Sequence, residues 1–199
     1  MKWALLLALL ASMHAGAAES CLVVYGQGRN LGEAPQNEAW DRINARFNGA
    51  VTERLRAAGL DAQPLLFKLG ETDLAAAVGL LTERAAAAGC SRVVDTAVFA
   101  DTDGALIVRL RVHPLLGGIG PTAAAAEPPR IGAPLYTAQS QFDFNRRTLE
   151  RLNFPALAGE MVGGYLEQAG LVTPPAAAAS PSQSRAAPPA APASAAGSR

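Results

Sequence analysis

The sequence is short of the residues that most chemistry needs. Among 199 residues there are two histidines and two cysteines, and only 6% are aromatic. One histidine, His14, falls in the amino-terminal leader described below, so a His-based metal site is out of reach. A Cys-based site needs more than two cysteines. No cofactor, metal or catalytic residue is therefore expected. Lysine occurs only at Lys2 and Lys68. Lys and Arg together number 17, against 17 Asp and Glu. No net field draws the chain to nucleic acid or to anionic lipid. With few aromatics, the core must be mostly aliphatic.

What is present begins with a leader. Met1-Lys2 is a short positive region, Trp3–Met13 (WALLLALLASM) is apolar, and His14–Ala18 is rich in small residues. This is the secretory pattern, cut after Ala17 or Ala18. The apolar run is about half the roughly 20 residues of a membrane-spanning helix. Residues 1–18 are thus expected to be a signal peptide and the mature chain to be periplasmic or secreted, with no transmembrane segment.

Cys21 raises two possibilities. A lipobox has an aliphatic residue at −3 and small residues before the cysteine. Here those positions hold Ala18, Glu19 and Ser20. An outer-membrane lipoprotein anchored through Cys21 is the alternative reading. The second cysteine, Cys90, favours a disulfide, since exported chains usually pair an even number of cysteines. Cys21 precedes LVVY and Cys90 precedes SRVVDTAV, so each opens an apolar strand. Parallel neighbours would set those starts about 4.8 Å apart, within the separation a disulfide spans. A free, buried Cys90 is the remaining possibility.

Past Cys21, short apolar runs alternate with amphipathic stretches. Leu22–Tyr25 reads as a strand buried on both faces. Asn37 caps a helix with an apolar stripe of Trp40, Ile43, Phe47, Val51, Leu55 and Ala58, ended by Gly59. Pro64–Leu69 reads as a second strand, buried like the first. Thr72 caps a second helix with Leu74, Val78, Leu81, Ala85 and Ala88 on one stripe, ended by Gly89. This βαβαβ core favours right-handed crossovers. Arg92–Ala100, the turn DTDG and Ala105–Leu116 form a β-hairpin. Residues 117–134 read as a flexible Gly/Pro/Ala loop. Leu135–Asn145 alternates as a further strand. Pro155 opens a last helix carrying Leu157, Met161, Tyr165 and Ala169, closed by Gly170. The expected fold is α/β with α+β character: a mixed sheet with helices mainly on one face. Residues 19–171 form a single domain, and 172–199 an Ala/Pro/Ser tail too poor in bulk to fold.

Few motifs suggest chemistry. GQGRNLG at 26–32 has the outline of a dinucleotide loop, but Pro35 and Asn37 start the helix several residues too late. His113 lies beside Pro114 with no G-x-S-x-G elbow in the chain. Asp101 and Asp103 sit in an Asp-Gly hairpin turn and lack the rest of a calcium-loop pattern. A carboxylate-dependent hydrolase of cell-wall or carbohydrate material, using Asp95, Asp101 or Asp143, is the enzymatic alternative. The best candidate site is a polar sheet face. Arg109, Arg111 and His113 share one side of a strand, and Gln139, Gln141 and Asp143 share one side of an expected antiparallel neighbour.

The helix NEAWDRINARFNGAVTERLRAAGL followed by a strand, within this order of elements, carries a resemblance. Residues 21–171 resemble the small α/β domains of bacterial envelope accessory proteins: the amino-terminal domain of the Tol-system propeller protein, the outer-membrane activators of penicillin-binding proteins, and auxiliary components of lipid-transport ABC systems. The resemblance lies in element order and assigns no residue a role. It implies a non-enzymatic accessory protein of envelope assembly or maintenance, acting on another envelope protein through the polar face or an edge strand. The identity of that protein and the oligomeric state stay open.

Overall fold

The computed structural model describes residues 21–27, 37–68, 73–118 and 127–171. The expected signal peptide, most of the GQGRNLG loop, Thr72 and the tail lie outside them. The described elements are β1 (Cys21–Gln27), α1 (Asn37–Ala57), β2 (Asp61–Phe67), α2 (Leu74–Ala87), β3 (Arg92–Ala100), β4 (Ala105–Leu116), β5 (Arg130–Ile131), β6 (Tyr136–Asp143), α3 (Arg146–Arg151) and α4 (Phe154–Gln168).

The six strands form one mixed sheet in the order β2-β1-β3-β4, with β6 and β5 both paired to the far side of β4. β1 runs parallel to β2 and β3, and β4 antiparallel to β3, β5 and β6. The α/β class, the βαβαβ core, the hairpin and the closing strand and helix are as expected from the sequence. Gly59, Gly89 and Gly170 end α1, α2 and α4 with positive φ, where a side chain would strain the backbone.

The chain steps from β1 to β2 in one direction and from β2 across to β3 in the other. Two crossovers of the same hand running opposite ways must lie on opposite faces. One face therefore carries α1 and α4, packed over Leu22, Val24, Val94, Val98 and the side of β4 formed by Leu106, Val108, Leu110 and Val112. The other carries α2, whose Leu81 and Ala85 cover Val23, Tyr25, Val93 and both cysteines. Large buried rings such as Phe47 and Phe154, 5.8 Å apart, each contribute about 1.5–3 kcal/mol by leaving water.

Cys21 and Cys90 form a disulfide with a Cα–Cα separation of 4.6 Å. Both are buried. Leu22 is in register with Arg92, so the two strand starts do lie side by side. A sulfur bonded to Cys90 cannot also carry a lipid thioether.

Several expectations are corrected. β2 starts at Asp61, not Pro64, and is an edge strand exposed along alternate residues. Proline lacks the N–H a central strand needs, so Pro64 belongs on an edge. Asp73, not Thr72, caps α2, its side chain accepting from the Ala76 N–H at 2.8 Å. The buried stripe of α2 runs Ala77, Leu81, Ala85, while Val78 and Ala88 face outward. Ala77 and Val78 are adjacent and both apolar, and the sheet took Ala77, the smaller, beside Leu81 and Ala85. Within the expected loop 117–134, Arg130 and Ile131 pair with Leu116 and Leu115. The short helix α3 was not expected.

Helix α1 carries a polar row beside its apolar stripe. Asn44, Asn48 and Thr52 are buried. Beyond Thr96, the described pairing of β3 with β1 ends. There the Asn44 carboxamide takes over the ladder. Its Oδ1 accepts from the Val98 N–H at 2.8 Å, and its Nδ2 donates to the Val98 carbonyl at 3.0 Å. One turn on, Asn48 Nδ2 donates to the Val24 carbonyl and to Thr96 Oγ1, which itself donates to the Tyr25 carbonyl. Asn44 and Asn48 fasten α1 to both central strands, while Thr52 donates back to the Asn48 carbonyl.

A candidate binding face around Asp95

The α2 side of the sheet has a polar region toward β4 and β6. Strand alternation puts Asp95, Ala97 and Phe99 of β3 beside Arg111, Arg109 and Ile107 of β4. Arg109 in turn lies opposite Gln139, Ile107 opposite Gln141, and Ala105 opposite Asp143. Of the residues selected from the sequence, Arg109, Arg111, Gln139 and Gln141 thus form one contiguous patch. Asp143 lies at its hairpin end. His113 lies past the other end, where β6 no longer pairs.

Asp95 is the hub, and the sequence pointed to it only as a candidate acid. Its Oδ2 accepts from Arg111 Nε at 2.8 Å and also from the same guanidinium's terminal nitrogen. Arg109 approaches that oxygen at 3.9 Å. The Asp95 side chain is 15% exposed and that of Arg111 35%. Ion pairs shielded to this degree are costly to break, because the remaining charge stays out of water. The Arg109 guanidinium also sits 5.3 Å over the Phe99 ring, a cation–π contact. Tyr25, in register with Asp95, has its phenol pushed up to about 12 by burial and then by the Asp95 charge.

The other polar residues serve the scaffold. His113 Nδ1 lies 2.9 Å from the Gly132 carbonyl. A carbonyl accepts only, so Nδ1 carries a proton and tethers the β5 segment to β4. Gly132 is required at that crossing: a Cβ there would meet the Pro114 ring at 2.8 Å. Asp101 Oδ1 accepts from the Asp103 and Ala105 N–H groups at 3.0 and 2.8 Å, as turn chemistry asks. Of the acids of the hydrolase alternative, Asp101 and Asp143 flank Ala105 at the hairpin end and Asp95 lies further along β3. Asp95 is bound to arginine, Asp101 closes a turn, and Asp143 ends a strand. Among the described residues no group of three or more His, Cys, Asp or Glu could hold a metal ion. No described helix is long and apolar enough to cross a membrane.

The edge beside this patch is open. The Phe144 N–H donates to the Gly104 carbonyl. In an antiparallel ladder bonded and unbonded pairs alternate, so Phe142, Ser140 and Ala138 bond to β4. The N–H and C=O groups of Thr137, Gln139, Gln141 and Asp143 point away from it. Among the described residues no strand pairs with that outer edge. No protein-family profile matches the chain, and no curated protein is similar to it in sequence.

Proposed function

We propose that the protein is a non-enzymatic accessory protein of an oxidising extracytoplasmic space, the bacterial periplasm, which binds another envelope protein. The partner contacts the patch of Arg109, Arg111, Gln139 and Gln141 and adds a strand to the outer edge of β6. The observation that carries this is the pairing of an anchored arginine cluster with an eight-residue edge strand whose outward backbone groups have no described partner. Main-chain bonds would give affinity and the arginines selectivity. The Cys21–Cys90 bond supports the oxidising compartment. The element order resembling envelope accessory domains points the same way.

Photo-crosslinking from Gln139 in the intact producing cell tests the reading. The expected result is one discrete adduct, lost in Gln139→Pro-type edge variants probed from Gln141. The same crosslinker at Glu53, exposed on α1, should give none. Equal adducts from Gln139 and Glu53, or none from either, would refute the assignment.

A further inference from the structure

On the opposite face, outside the arginine patch, a groove of about 440 Å³ opens between β6, α3 and the start of α4. Its size is that of a small-molecule site. Its floor is apolar: Phe142 from β6, Leu152 between the helices, and Ala156 and Leu157 from the first turns of α4. Its rim is cationic, formed by Arg147 and Arg151. These lie four residues apart and so share one face of α3. Like charges at that spacing repel and weaken a helix. Their neighbour Arg146 is matched by Glu150 at 2.8 Å. Among the described residues neither Arg147 nor Arg151 has an acidic partner.

Two guanidinium groups above an apolar cavity select a molecule with an anionic head and an apolar body. We infer that this groove binds a single-chain amphiphile with a carboxylate head, of the fatty-acid class. The two guanidinium forks receive the carboxylate, each able to donate two parallel bonds to it. The chain lies along Phe142, Leu152 and Leu157. A cationic head is repelled, and a neutral one leaves the arginines unmatched.

Calorimetric titration of the disulfide-bonded protein with dodecanoate, below its micelle concentration, tests this. One molecule should bind per chain. Arg147→Glu with Arg151→Glu should weaken binding by at least about tenfold, the scale of charge-assisted hydrogen bonds. Ala156→Trp, at an exposed position, should fill the groove and abolish binding with the melting temperature kept. Dodecyltrimethylammonium should not bind. The inference is overturned if dodecanoate does not bind, if the two head groups bind alike, or if the arginine variant binds as well as the parent. A concentration-dependent dimer, broken by Ala156→Trp and indifferent to dodecanoate, would give the groove to a second copy and overturn it too.

Discussion

Replacing Asn44 isolates what the buried polar row contributes. The carboxamide supplies the only described partners of the Val98 N–H and C=O on the β1 side of β3. Val98 is fully buried, so water cannot take over. Asn44→Ala leaves two unpaired groups, and each costs about 1–3 kcal/mol, giving roughly 2–6 kcal/mol in all. The Trp40 carbonyl, which also accepts from Nδ2, keeps its ordinary helical partner and adds little. Asn44→Leu separates bonding from packing, because leucine keeps the same branched heavy-atom skeleton, leaves no cavity and supplies no donor or acceptor. It should lose as much as alanine. The assay is urea unfolding by circular dichroism with the disulfide intact, joined to hydrogen exchange at the Val98 amide. Exchange should pass from protected to fast in both variants while the β4-bonded amides of β3 stay slow. If Asn44→Leu restores stability, the cost was a cavity and the ladder argument fails. A loss under about 1 kcal/mol with Val98 still protected refutes it as well.

Four further outcomes are expected. Replacing both Cys21 and Cys90 by serine opens a loop with a sequence separation of 69; on the chain-entropy relation this costs about 4 kcal/mol, a fall of roughly 8–16 °C in melting temperature, and calorimetry showing no fall would refute the stapling role. Gly26→Ala would place a Cβ 2.8 Å from Asn48 Nδ2 and 2.9 Å from the Leu66 side chain, so it should destabilise the fold by roughly 1–3 kcal/mol in chemical denaturation. Gly164→Ala meets the Tyr136 hydroxyl at 2.5 Å and should break that hydroxyl's bond to the Met161 carbonyl, with a similar loss that Tyr136→Phe partly relieves. Raising the pH should unfold the protein in part through Tyr25: its folded pKa lies above its ordinary value of 10.0, at about 12, so the native state holds the proton more tightly. Tyr25's contribution is complete below pH 10 and lost as pH rises toward 12, and Tyr25→Phe should flatten that segment of the stability curve.

Where one physical rule dominates, the fold was legible in the sequence. Glycines at 59, 89 and 170 marked helix ends because only they take positive φ cheaply. Strict alternation from Leu106 to Val112 marked a face because the strand period is two. The pairing of Cys21 with Cys90 followed from strand starts that parallel pairing must bring together. Legibility failed where two rules compete. In α2 residues 74–81 are all apolar or glycine, so periodicity could not choose between Ala77 and Val78 as the residue sharing the Leu81 stripe. Asn44, Asn48 and Thr52 repeat every four residues next to the Phe47 stripe; the spacing was visible, but polar residues on a helix are solvated by default. Only the placement of α1 against β3 at Val98, a property of a helix and a sheet at once, gave Asn44 its partner. Asp95 was hidden in the same way. Its value as an anchor depends on cross-strand register with Arg111 and Arg109, which no single segment encodes.

The two edges of the sheet are treated differently, and the difference bears on binding. An edge strand invites unwanted pairing, and proteins blunt it with proline, lysine or a bulge. β2 carries Pro64 at its centre, so one N–H of its ladder is missing by construction. β6 contains no proline and no lysine, and its only charge is the terminal Asp143. Its outward backbone groups are carried by Thr137, Gln139, Gln141 and the terminal Asp143, the first three polar enough to stay in water and neutral enough to admit a strand. The same strand places Gln139 directly against Arg109, so anything that paired with this edge would meet a guanidinium already held by Asp95 and Phe99. Under the function proposed above, the open edge beside a fixed cation receives the partner's strand, whereas the proline-blunted edge receives none.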